Sequence, residues 1–419
     1  MKADDHGGSV LLERYAQVAG SEVIHHLEQL VEPLKGAKVV HVNSTREGGG
    51  VAEILQKLIP LKRALGIDAS WEVISGNPEF YQCTKAFHNG LQGTGSPVSR
   101  QLLDAYEKVN AANAEELRAT LEAADFVVIH DPQPAPLLSH CPGRRGRWLW
   151  RCHIDASHPY RAVWKYLRGW VSDYDASIFS IPEFAQPLPH PQYIVAPSID
   201  PLSEKNRELP EDDLQAVRER FQIDPELPMI LQVSRYDRFK DPLGVVQACQ
   251  LAAKLTPLQL VLAGGGASDD PEGEAVLEEV HQAVAGDPRI RVLLLPADAH
   301  HTINALQRVA DIVLQKSIRE GFGLTVSEAM WKAKPVIGGD TGGIRLQVFD
   351  HYTGFLVRSP EGAALRIRYL LHRRELLREM GQRARRFVGE NFLITRHLRE
   401  YLAMFLSLRN GTRGRMELF

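Results

Sequence analysis

The chain has 419 residues, of which 44% are apolar and 24% charged, so it is long enough for two or three globular domains. Its formal net charge of −3 gives no electrostatic reason to expect nucleic acid or an anionic membrane as a partner. The four cysteines form no C-x-x-C pair and have no Cys/His spacing for structural zinc, which favours reduced thiols over a metal site.

The amino-terminal 25 residues are polar and acidic, without the basic and apolar regions of a signal peptide. No apolar run approaches the ~20 residues that a membrane span needs. We therefore expect a cytoplasmic protein. The sequence leaves the oligomeric state open, a homodimer being one candidate.

Short apolar runs rich in Val and Ile alternate with longer amphipathic stretches along the first half of the chain. Strands are predicted at Lys38–Ser44, Ser70–Ile74, Phe126–His130, Trp148–His153, Ala176–Ile181 and Tyr193–Ala196. Helices are predicted between several of them, at Val51–Leu65, Val98–Leu121 and Tyr160–Ser172.

The second half repeats this alternation. Strands are predicted at Met229–Ser234, Gln259–Ala263, Ile290–Leu295, Ile312–Gln315, Pro335–Ile337 and Gly354–Val357. The helices between them are predicted at Leu243–Leu255, Glu274–Val284, Ile303–Arg308 and Val326–Ala333. Two long helical patterns close the chain, Glu361–Val388, expected to break near Gly381, and Thr395–Leu408.

Uninterrupted apolar strands indicate a parallel sheet covered by helices on both faces. The repeated alternation of strand and helix therefore predicts an α/β protein with two doubly wound, Rossmann-like domains that face each other across a cleft. We interpret Pro197–Pro210, rich in Pro, Ser and charge, as the linker between them. Ligands of such sheets bind beyond the carboxyl ends of the strands, and the motifs described next all fall there.

The segment Arg319–Glu328 follows one strand and opens a helix. Its glycines, Gly321 and Gly323, allow a ligand to approach the backbone, and N–H groups at a helix start suit an anion. Glu320 lies in the loop and has no comparable structural role, so we predict that it faces a sugar ring. Glu328 either accepts hydrogen bonds from ribose hydroxyls or completes a capping box three residues after a threonine.

The segment Val233–Pro242 carries Arg235 and Lys240 just after another strand. Arginine offers a planar fork of donors and lysine a point charge, so the two suit a diphosphate. Alternatively, Asp241 caps the next helix, with a proline at its first position, and the cations are solvated. The position of these cations at the same sheet edge as Glu320 favours the functional interpretation.

A run of three glycines lies within Thr45–Glu53, between the first strand and its helix. Such a run is similar to a phosphate cradle, but its spacing is not G-x-G-x-x-G and no P-loop Lys-Ser/Thr follows. A tight turn that packs the helix on the strand explains it equally well.

Two His–Asp clusters end neighbouring strands of the first half: His130 with Asp131, and His153 with Asp155. A single histidine at a strand end is more often structural, but two such clusters favour a binding site. Aspartate and histidine bind hydroxyl groups, so a polyol substrate suits them.

Asp173 and Asp175 have the D-x-D spacing with which some transferases hold a divalent metal. Here the pair comes at the end of a helix and before a strand, so we interpret it as solvated turn residues. We predict no essential metal.

The segments Ser234–Lys240 and Glu320–Glu328 resemble the signature of the retaining glycosyltransferases of family 4, which have the GT-B fold. The resemblance runs from about Lys38 to Leu406. One departure is Asp241, where many members have glycine. Within the family, further stretches resemble the trehalose synthases, namely His41–Thr45, Gly48–Ile54, Thr84–Asn89, Ile199–Asn206 and Ser317–Val326.

The resemblance implies a role for each site residue. In the donor site, Arg235 and Lys240 hold the diphosphate, Glu320 the hexose and Glu328 the ribose. The implied donor-binding residues are Gly49, Gly50, Arg235, Lys240, Gly265, Glu320, Gly321, Phe322, Gly323, Leu324, Thr325 and Glu328. The implied acceptor-binding residues are Asn43, Asp131, Gln133 and Asp155. The implied catalytic residues are His153, near the donor 6-hydroxyl, and Arg235, Lys240 and Glu320.

The resemblance also implies the reaction and the domain plan. It implies a retaining hexosyltransferase that transfers glucose from a nucleoside diphosphate glucose to free glucose, giving trehalose reversibly, without a cofactor. Its partners are a sugar and a nucleotide sugar. Trehalose phosphorylases, and family members that make sucrose, glycogen or trehalose phosphate, remain alternatives, and the donor base stays open. The expected domains are residues 1–200, with a final helix 394–419 that crosses back, and residues 201–393.

Overall fold

The computed structural model describes residues 4–47, 50–265 and 271–411. The chain divides into two compact units. The first holds the chain up to Pro197 together with the segment from Ile394 onward, and the second holds Ser198–Leu393. The boundary lies a few residues before the predicted division at residue 200, and the last helix belongs to the first unit.

The described part of the first unit contains one parallel sheet. Its strands are β1 (Lys38–Asn43), β2 (Asp68–Val73), β3 (Phe126–His130), β4 (Arg147–Arg151), β5 (Ala176–Phe179) and β6 (Gln192–Ile194). They lie in the order β2-β1-β3-β4-β5-β6, and each adjacent pair is parallel. β3 is buried along its whole length, as expected for a strand covered on both faces.

Helices cover this sheet. They are α1 (Asp4–Ala19), α2 (Ser21–Val31), α3 (Gly50–Ala64), α4 (Pro78–Leu91), α5 (Arg100–Glu122), α6 (Arg161–Val171) and, at the end of the chain, α15 (Ile394–Arg409). The aromatic side chains of Trp148, Trp150 and Phe179 are fully buried in the resulting core. Phe405 of α15 stacks on Phe126 with ring centroids 4.5 Å apart, which joins the last helix to this unit.

The second unit repeats the arrangement within the residues described. Its strands are β7 (Met229–Val233), β8 (Gln259–Gly264), β9 (Ile290–Leu294), β10 (Ile312–Gln315), β11 (Val336–Gly339) and β12 (Gly354–Val357). Its helices are α7 (Glu211–Arg220), α8 (Pro242–Ala253), α9 (Pro271–Val284), α10 (His300–Val309), α11 (Leu324–Trp331), α12 (Ile344–Gln347), α13 (Pro360–Leu371) and α14 (Arg374–Asn391). All strands are parallel, in the order β12-β11-β10-β7-β8-β9.

Both sheets have a point at which the strand order reverses. In the first unit it lies between β1 and β3, and in the second between β7 and β10. The connections on the two sides of such a point leave in opposite directions and open a crevice at the carboxyl ends of the two strands. The fold thus predicts two binding positions, one after Asn43 and His130, the other after Val233 and Gln315.

The prediction that Glu361–Val388 breaks near Gly381 is wrong. The helical pattern is interrupted at His372 and Arg373, and Gly381 lies inside α14. A Cβ atom at Gly381 would lie 2.0 Å from the carbonyl oxygen of Ala333. This glycine therefore allows a close approach between the helix and a neighbouring loop, and it does not end the helix.

The predicted linker packs as part of the second unit. The backbone N–H of Ile199 donates to Phe392 O at 2.9 Å, and Lys332 Nζ donates to Asn206 Oδ1 at 3.0 Å. The cysteines are buried and free, as the sequence suggested. Among the described helices, none has the length and apolar character to cross a membrane.

Candidate functional site

Lys240 is held in place by the loop that follows β7. Asp237 accepts hydrogen bonds from the backbone N–H groups of Phe239 and Lys240, at 2.7 and 3.2 Å, and so caps a short 3-10 turn. Gln232 donates to Lys240 O at 2.8 Å, and Ile318 N–H donates to Phe239 O at 2.7 Å. The loops after β7 and β10, which flank the switch point, are thus bonded to each other.

Lys240 and Glu320 meet at this point. Lys240 Nζ lies 2.7 Å from each carboxylate oxygen of Glu320, and Ser317 Oγ donates to Glu320 Oε2 at 3.0 Å. The Glu320 side chain is only 8% exposed and that of Lys240 20%. The lysine predicted to bind the diphosphate and the glutamate predicted to bind the hexose therefore form an ion pair at the carboxyl ends of adjacent strands.

Arg235 differs from Lys240 in its surroundings. Its guanidinium is 66% exposed and touches Asp237 at 3.3 Å, a contact of the kind that contributes little to stability. An exposed, solvated cation in the same loop as a fixed one suits a charged ligand that arrives from solvent.

Asp241 caps α8, as the alternative interpretation of this segment predicted. It accepts from Gly244 N–H at 3.1 Å, it pairs with the buried Lys316, and Pro242 is the first helical residue. The Asp241 backbone is left-handed, with φ 50°, a conformation that glycine adopts without steric cost. Its carboxylate is committed to Lys316, so it does not neutralise Lys240.

The start of α11 lies beside Glu320. Gly323, at φ 82°, is the N-cap residue, and no side chain caps the helix. The backbone N–H groups of Leu324 and Thr325 are in the first turn, where α-helical geometry supplies no partner. Gly321 has open space where a Cβ would stand, whereas Phe322 is buried and packs on Phe392. These uncapped N–H groups are suited to an anion or to sugar hydroxyls.

The capping-box interpretation of Glu328 is wrong. Because Gly323 takes the N-cap position, Thr325 is already inside the helix, and Glu328 does not reach back to its start. The Glu328 carboxylate is buried, 3.9 Å from Lys205 Nζ, and Lys332 Nζ binds the Glu328 carbonyl at 3.1 Å. Burial lowers the pKa of Lys332 to about 7, partly offset by Glu328. The carboxylate keeps acceptor capacity for hydroxyl groups.

Three further glycines were predicted to bind the donor, namely Gly49, Gly50 and Gly265. Gly49 lies outside the described residues, and Gly50 is the exposed first residue of α3. Gly265 follows β8 and is partly buried, 3.4 Å from Leu295 O at its Cβ position.

At the switch point of the first unit, Asp131 directly follows β3 in a left-handed conformation, with φ 64°. Its carboxylate accepts from His153 N–H at 2.7 Å, and its carbonyl accepts from Trp150 Nε1 at 3.0 Å. Burial raises the pKa of Asp131 to about 7, against the lowering effects of the His153 hydrogen bond and the Arg151 charge. Gln133 follows two residues later, its carbonyl held by Asn110 at 3.1 Å.

The structure brings His153 and His130 together and adds two residues that sequence reasoning missed. His130 Nδ1 lies 2.9 Å from His153 Nε2, and His130 Nε2 lies 2.9 Å from His41 Nδ1. His41 Nε2 lies 2.6 Å from Lys62 Nζ. His41 is in β1 and Lys62 in α3, so no local sequence pattern connects them to the site.

Two predicted acceptor-binding residues are committed to local contacts. Asn43 donates to Thr45 O and accepts from Trp71 Nε1, both at 2.8 Å, and is buried. Asp155 accepts from Ser157 N–H at 2.9 Å, which forms a turn. The structure thus brings Asp131, Gln133 and His153 to this edge, whereas the side chains of Asn43 and Asp155 have local partners.

The Asp175 carboxylate pairs with two arginine side chains. It pairs with Arg144 at 2.5 Å and Arg147 at 3.1 Å, and it accepts from Trp148 N–H at 2.8 Å. These contacts hold the end of α6 against β4. Asp173 is exposed and does not share them.

Comparison with known proteins shows the family of this chain. A family model described as trehalose synthase, N-terminal domain, matches residues 41–186, and one described as glycosyl transferases group 1 matches residues 214–387. The trehalose synthase of Pyrococcus horikoshii is 45% identical over 406 residues, which cover 96% of this chain and 97% of that protein. This chain belongs to the trehalose synthase family.

A second trehalose synthase supports the same family. The trehalose synthase of Rubrobacter xylanophilus is 41% identical over 408 residues, covering 96% of this chain and 98% of that protein. Among solved structures, a trehalose-6-phosphate synthase has a TM-score of 0.72 over 88% of this chain and 99% of its own, at 14% identity. The structural likeness establishes the predicted GT-B fold, and family membership makes the chain a glycosyltransferase.

Proposed function

We propose that this protein transfers glucose from a nucleoside diphosphate glucose to free glucose, giving α,α-trehalose and a nucleoside diphosphate, reversibly. The observation that carries the proposal is the edge of the second sheet, where Lys240, in the same loop as Arg235, pairs with Glu320 just before the uncapped start of α11. The names of the family members support trehalose as the product.

The diphosphate is the leaving group. As the bond between C1 of the donor glucose and the diphosphate oxygen breaks, negative charge grows on that oxygen. Lys240 is fixed by its turn and Arg235 is free to move onto the phosphates. Charges that are already in place when the bond breaks stabilise the transition state without reorganisation. On this proposal the two side chains supply the positive charge that Mg²⁺ supplies in metal-dependent transferases.

The sugar and ribose of the donor have separate ligands. Glu320, with the backbone of Gly321 to Leu324, binds the hydroxyls of the transferred glucose, and Glu328 binds the ribose. Among the described residues, the buried Glu328 carboxylate has one ion pair, with Lys205 Nζ at 3.9 Å, so it retains oxygen lone pairs for two vicinal hydroxyls.

The acceptor glucose binds at the first sheet, to Asp131, His153 and Gln133. Three cations of this region are engaged elsewhere. Arg151 donates to Phe179 O at 3.0 Å and Val195 O at 2.6 Å, and Arg46 donates to Trp71 O at 3.0 Å. The third, Lys62, is buried behind His41. Since these three cations of the described residues have partners of their own, a site that offers hydroxyl ligands favours glucose over glucose 6-phosphate.

The transfer retains the donor configuration. The acceptor oxygen attacks C1 from the face that the diphosphate leaves, the new C1–O bond forms as the old one breaks, and the acceptor proton passes to a phosphate oxygen. This route needs no protein nucleophile under the ring, unlike retaining glycosidases with two carboxylates. Exclusion of water prevents hydrolysis of the donor.

One experiment tests the proposal. The enzyme is incubated with glucose and, in turn, with the ADP, UDP and GDP derivatives of glucose, and the products are identified by NMR. We expect α,α-trehalose and the matching nucleoside diphosphate. Trehalose cleavage that depends on inorganic phosphate indicates a phosphorylase, and a strong preference for glucose 6-phosphate indicates a trehalose-phosphate synthase. A β-linked product would overturn retention.

A further inference from the structure

A continuous chain of side-chain nitrogens leads from the interior of the first unit to its site edge. Lys62 Nζ contacts His41 Nε2 at 2.6 Å, His41 Nδ1 contacts His130 Nε2 at 2.9 Å, and His130 Nδ1 contacts His153 Nε2 at 2.9 Å. The first three side chains are buried, whereas His153 is partly exposed. Among the described residues, none bonds to His153 Nδ1, which is the end of the chain that meets a ligand.

The imidazoles of His41, His130 and His153 are neutral at physiological pH. Burial lowers the pKa of His41, His130 and His153 well below the ordinary value of 6.5, and nearby positive groups lower it further. A neutral imidazole carries its single N–H on one nitrogen and accepts on the other. His41 and His130 each contact their neighbours through both nitrogens, and His153 contacts His130 through Nε2, so the N–H groups must all point the same way along this row of side chains. One end therefore sets the proton position of every ring.

Lys62 is the inner end of this row of contacts. Burial lowers the pKa of Lys62 well below its ordinary value, but its Nζ carries N–H groups in both the charged and the neutral form, and among the described residues His41 Nε2 is its hydrogen-bond partner. The remaining N–H groups face the rings of Tyr401 and Phe405, at 4.7 and 4.9 Å from the centroids. A buried N–H group needs an acceptor, and aromatic rings are weaker acceptors than an imidazole nitrogen, which favours donation from Lys62 to His41. His41 Nδ1–H then donates to His130, and His130 Nδ1–H donates to His153 Nε2.

We propose that Lys62 is a positioning residue that acts through His41 and His130 to keep the proton of His153 on Nδ1. His153 then offers the site an N–H donor, directed at a sugar oxygen, and not an acceptor. The use of this donor in the reaction rests on the proposed function, but the proton position itself does not. Neither His41 nor His130, which link Lys62 to His153, touches the substrate in this proposal.

The proton position is measured first, without substrate. In protein labelled with ¹⁵N in its histidines, long-range ¹H–¹⁵N spectra distinguish Nδ1–H from Nε2–H. The His153 signals are assigned from their loss in His153→Asn. We expect Nδ1–H in the natural sequence and an Nε2–H population in Lys62→Met, where the chain is free to reverse. Finding Nε2–H in the natural sequence, or no change in Lys62→Met, would overturn the proposal.

Activity is measured second. Lys62→Met should lower kcat by about 10–100-fold, as the loss of one oriented donor does, with little change in the KM of the donor substrate. Its Tm should not fall, because methionine fills the same space without a buried amine. Lys57→Met, an exposed lysine on the same helix, is the matched control and should change neither spectrum nor kcat. If the natural sequence fails to make trehalose, the proposed function fails while the NMR result still decides the role of Lys62.

Discussion

Lys240 donates hydrogen bonds to both carboxylate oxygens of Glu320, at 2.7 Å each, although the two residues are 80 positions apart in the chain. Each is the only charged partner that the structure, in its described residues, gives the other within ion-pair distance. The predicted diphosphate-binding cation and the predicted hexose-binding carboxylate therefore also stabilise each other in the folded protein.

The first prediction separates these two roles. Lys240→Met should abolish most of the activity and also lower the free energy of unfolding by about 1–3 kcal/mol, because it leaves the nearly buried Glu320 unpaired. The double variant Lys240→Met with Glu320→Gln should regain the stability and not the activity. Urea unfolding and initial rates measure the two effects. A Lys240→Met protein with unchanged stability would contradict the pairing, and one with normal kcat/KM would contradict the diphosphate assignment.

The second prediction concerns Arg235. Arg235→Ala should lose ~2–4 kcal/mol of transition-state stabilisation, the range for the removal of one electrostatic contact to a developing charge. Its Tm should stay within a degree or two of the natural protein, because the guanidinium is 66% exposed and makes one weak ion pair. Arg289→Ala, another exposed arginine paired to an aspartate, controls for loss of surface charge and should keep full activity.

The third prediction concerns Gly342. Its φ is 47°, and a Cβ atom there would stand 1.8 Å from the backbone carbonyl oxygen of Glu320. Gly342→Ala should therefore displace Glu320 and reduce kcat/KM at least tenfold, as well as stability. Gly286→Ala is the matched control, since Gly286 has φ 81° but nothing within 4 Å. That variant should cost ~1–2 kcal/mol of stability through backbone strain alone and keep its specific activity. Equal activity losses in both would rule out the steric explanation.

The fourth prediction concerns pH. Burial raises the pKa of Asp131 from 3.8 to about 7. The folded protein therefore binds a proton that the unfolded chain has released, so the contribution of Asp131 to stability falls as pH rises from about 4 to 7. The difference in unfolding free energy between the natural protein and Asp131→Asn should change in that direction over this range. A difference that is flat from pH 4 to 8 would show that the carboxyl titrates normally.

The fifth prediction concerns metal. Activity should persist after treatment with EDTA, because Arg235 and Lys240 provide the positive charge at the leaving group. Asp175→Asn should lower the Tm, since Asp175 pairs with Arg144 and Arg147, but should leave the rate per folded molecule unchanged. Loss of activity with EDTA, restored by Mg²⁺ or Mn²⁺, would require a metal site that includes these aspartates or others.

The sequence by itself determined the strands, the two doubly wound sheets and the segments around Arg235 and Glu320. Runs of Val and Ile are local signals, and a parallel sheet buried on both faces needs them whatever packs around it. Five of the described helices escaped the prediction, namely α1, α2, α4, α7 and α12. Two of them have starts that carry local signals. α4 begins with Asn77 as N-cap and a proline at its first position, and α7 begins with three acidic residues.

Only the tertiary structure decided what several of these residues do. Gly381 looked like a helix end, but the backbone of Ala333 approaches it and makes glycine necessary inside a helix. Thr325 and Glu328 have capping-box spacing, but the left-handed Gly323 begins the helix earlier. The row of hydrogen-bonded side chains from Lys62 to His153 joins residues of α3, β1 and β3 with the segment after β4. Hydrogen bonds between such distant segments leave no periodic pattern in the sequence. Their geometry exists only once the sheet has assembled.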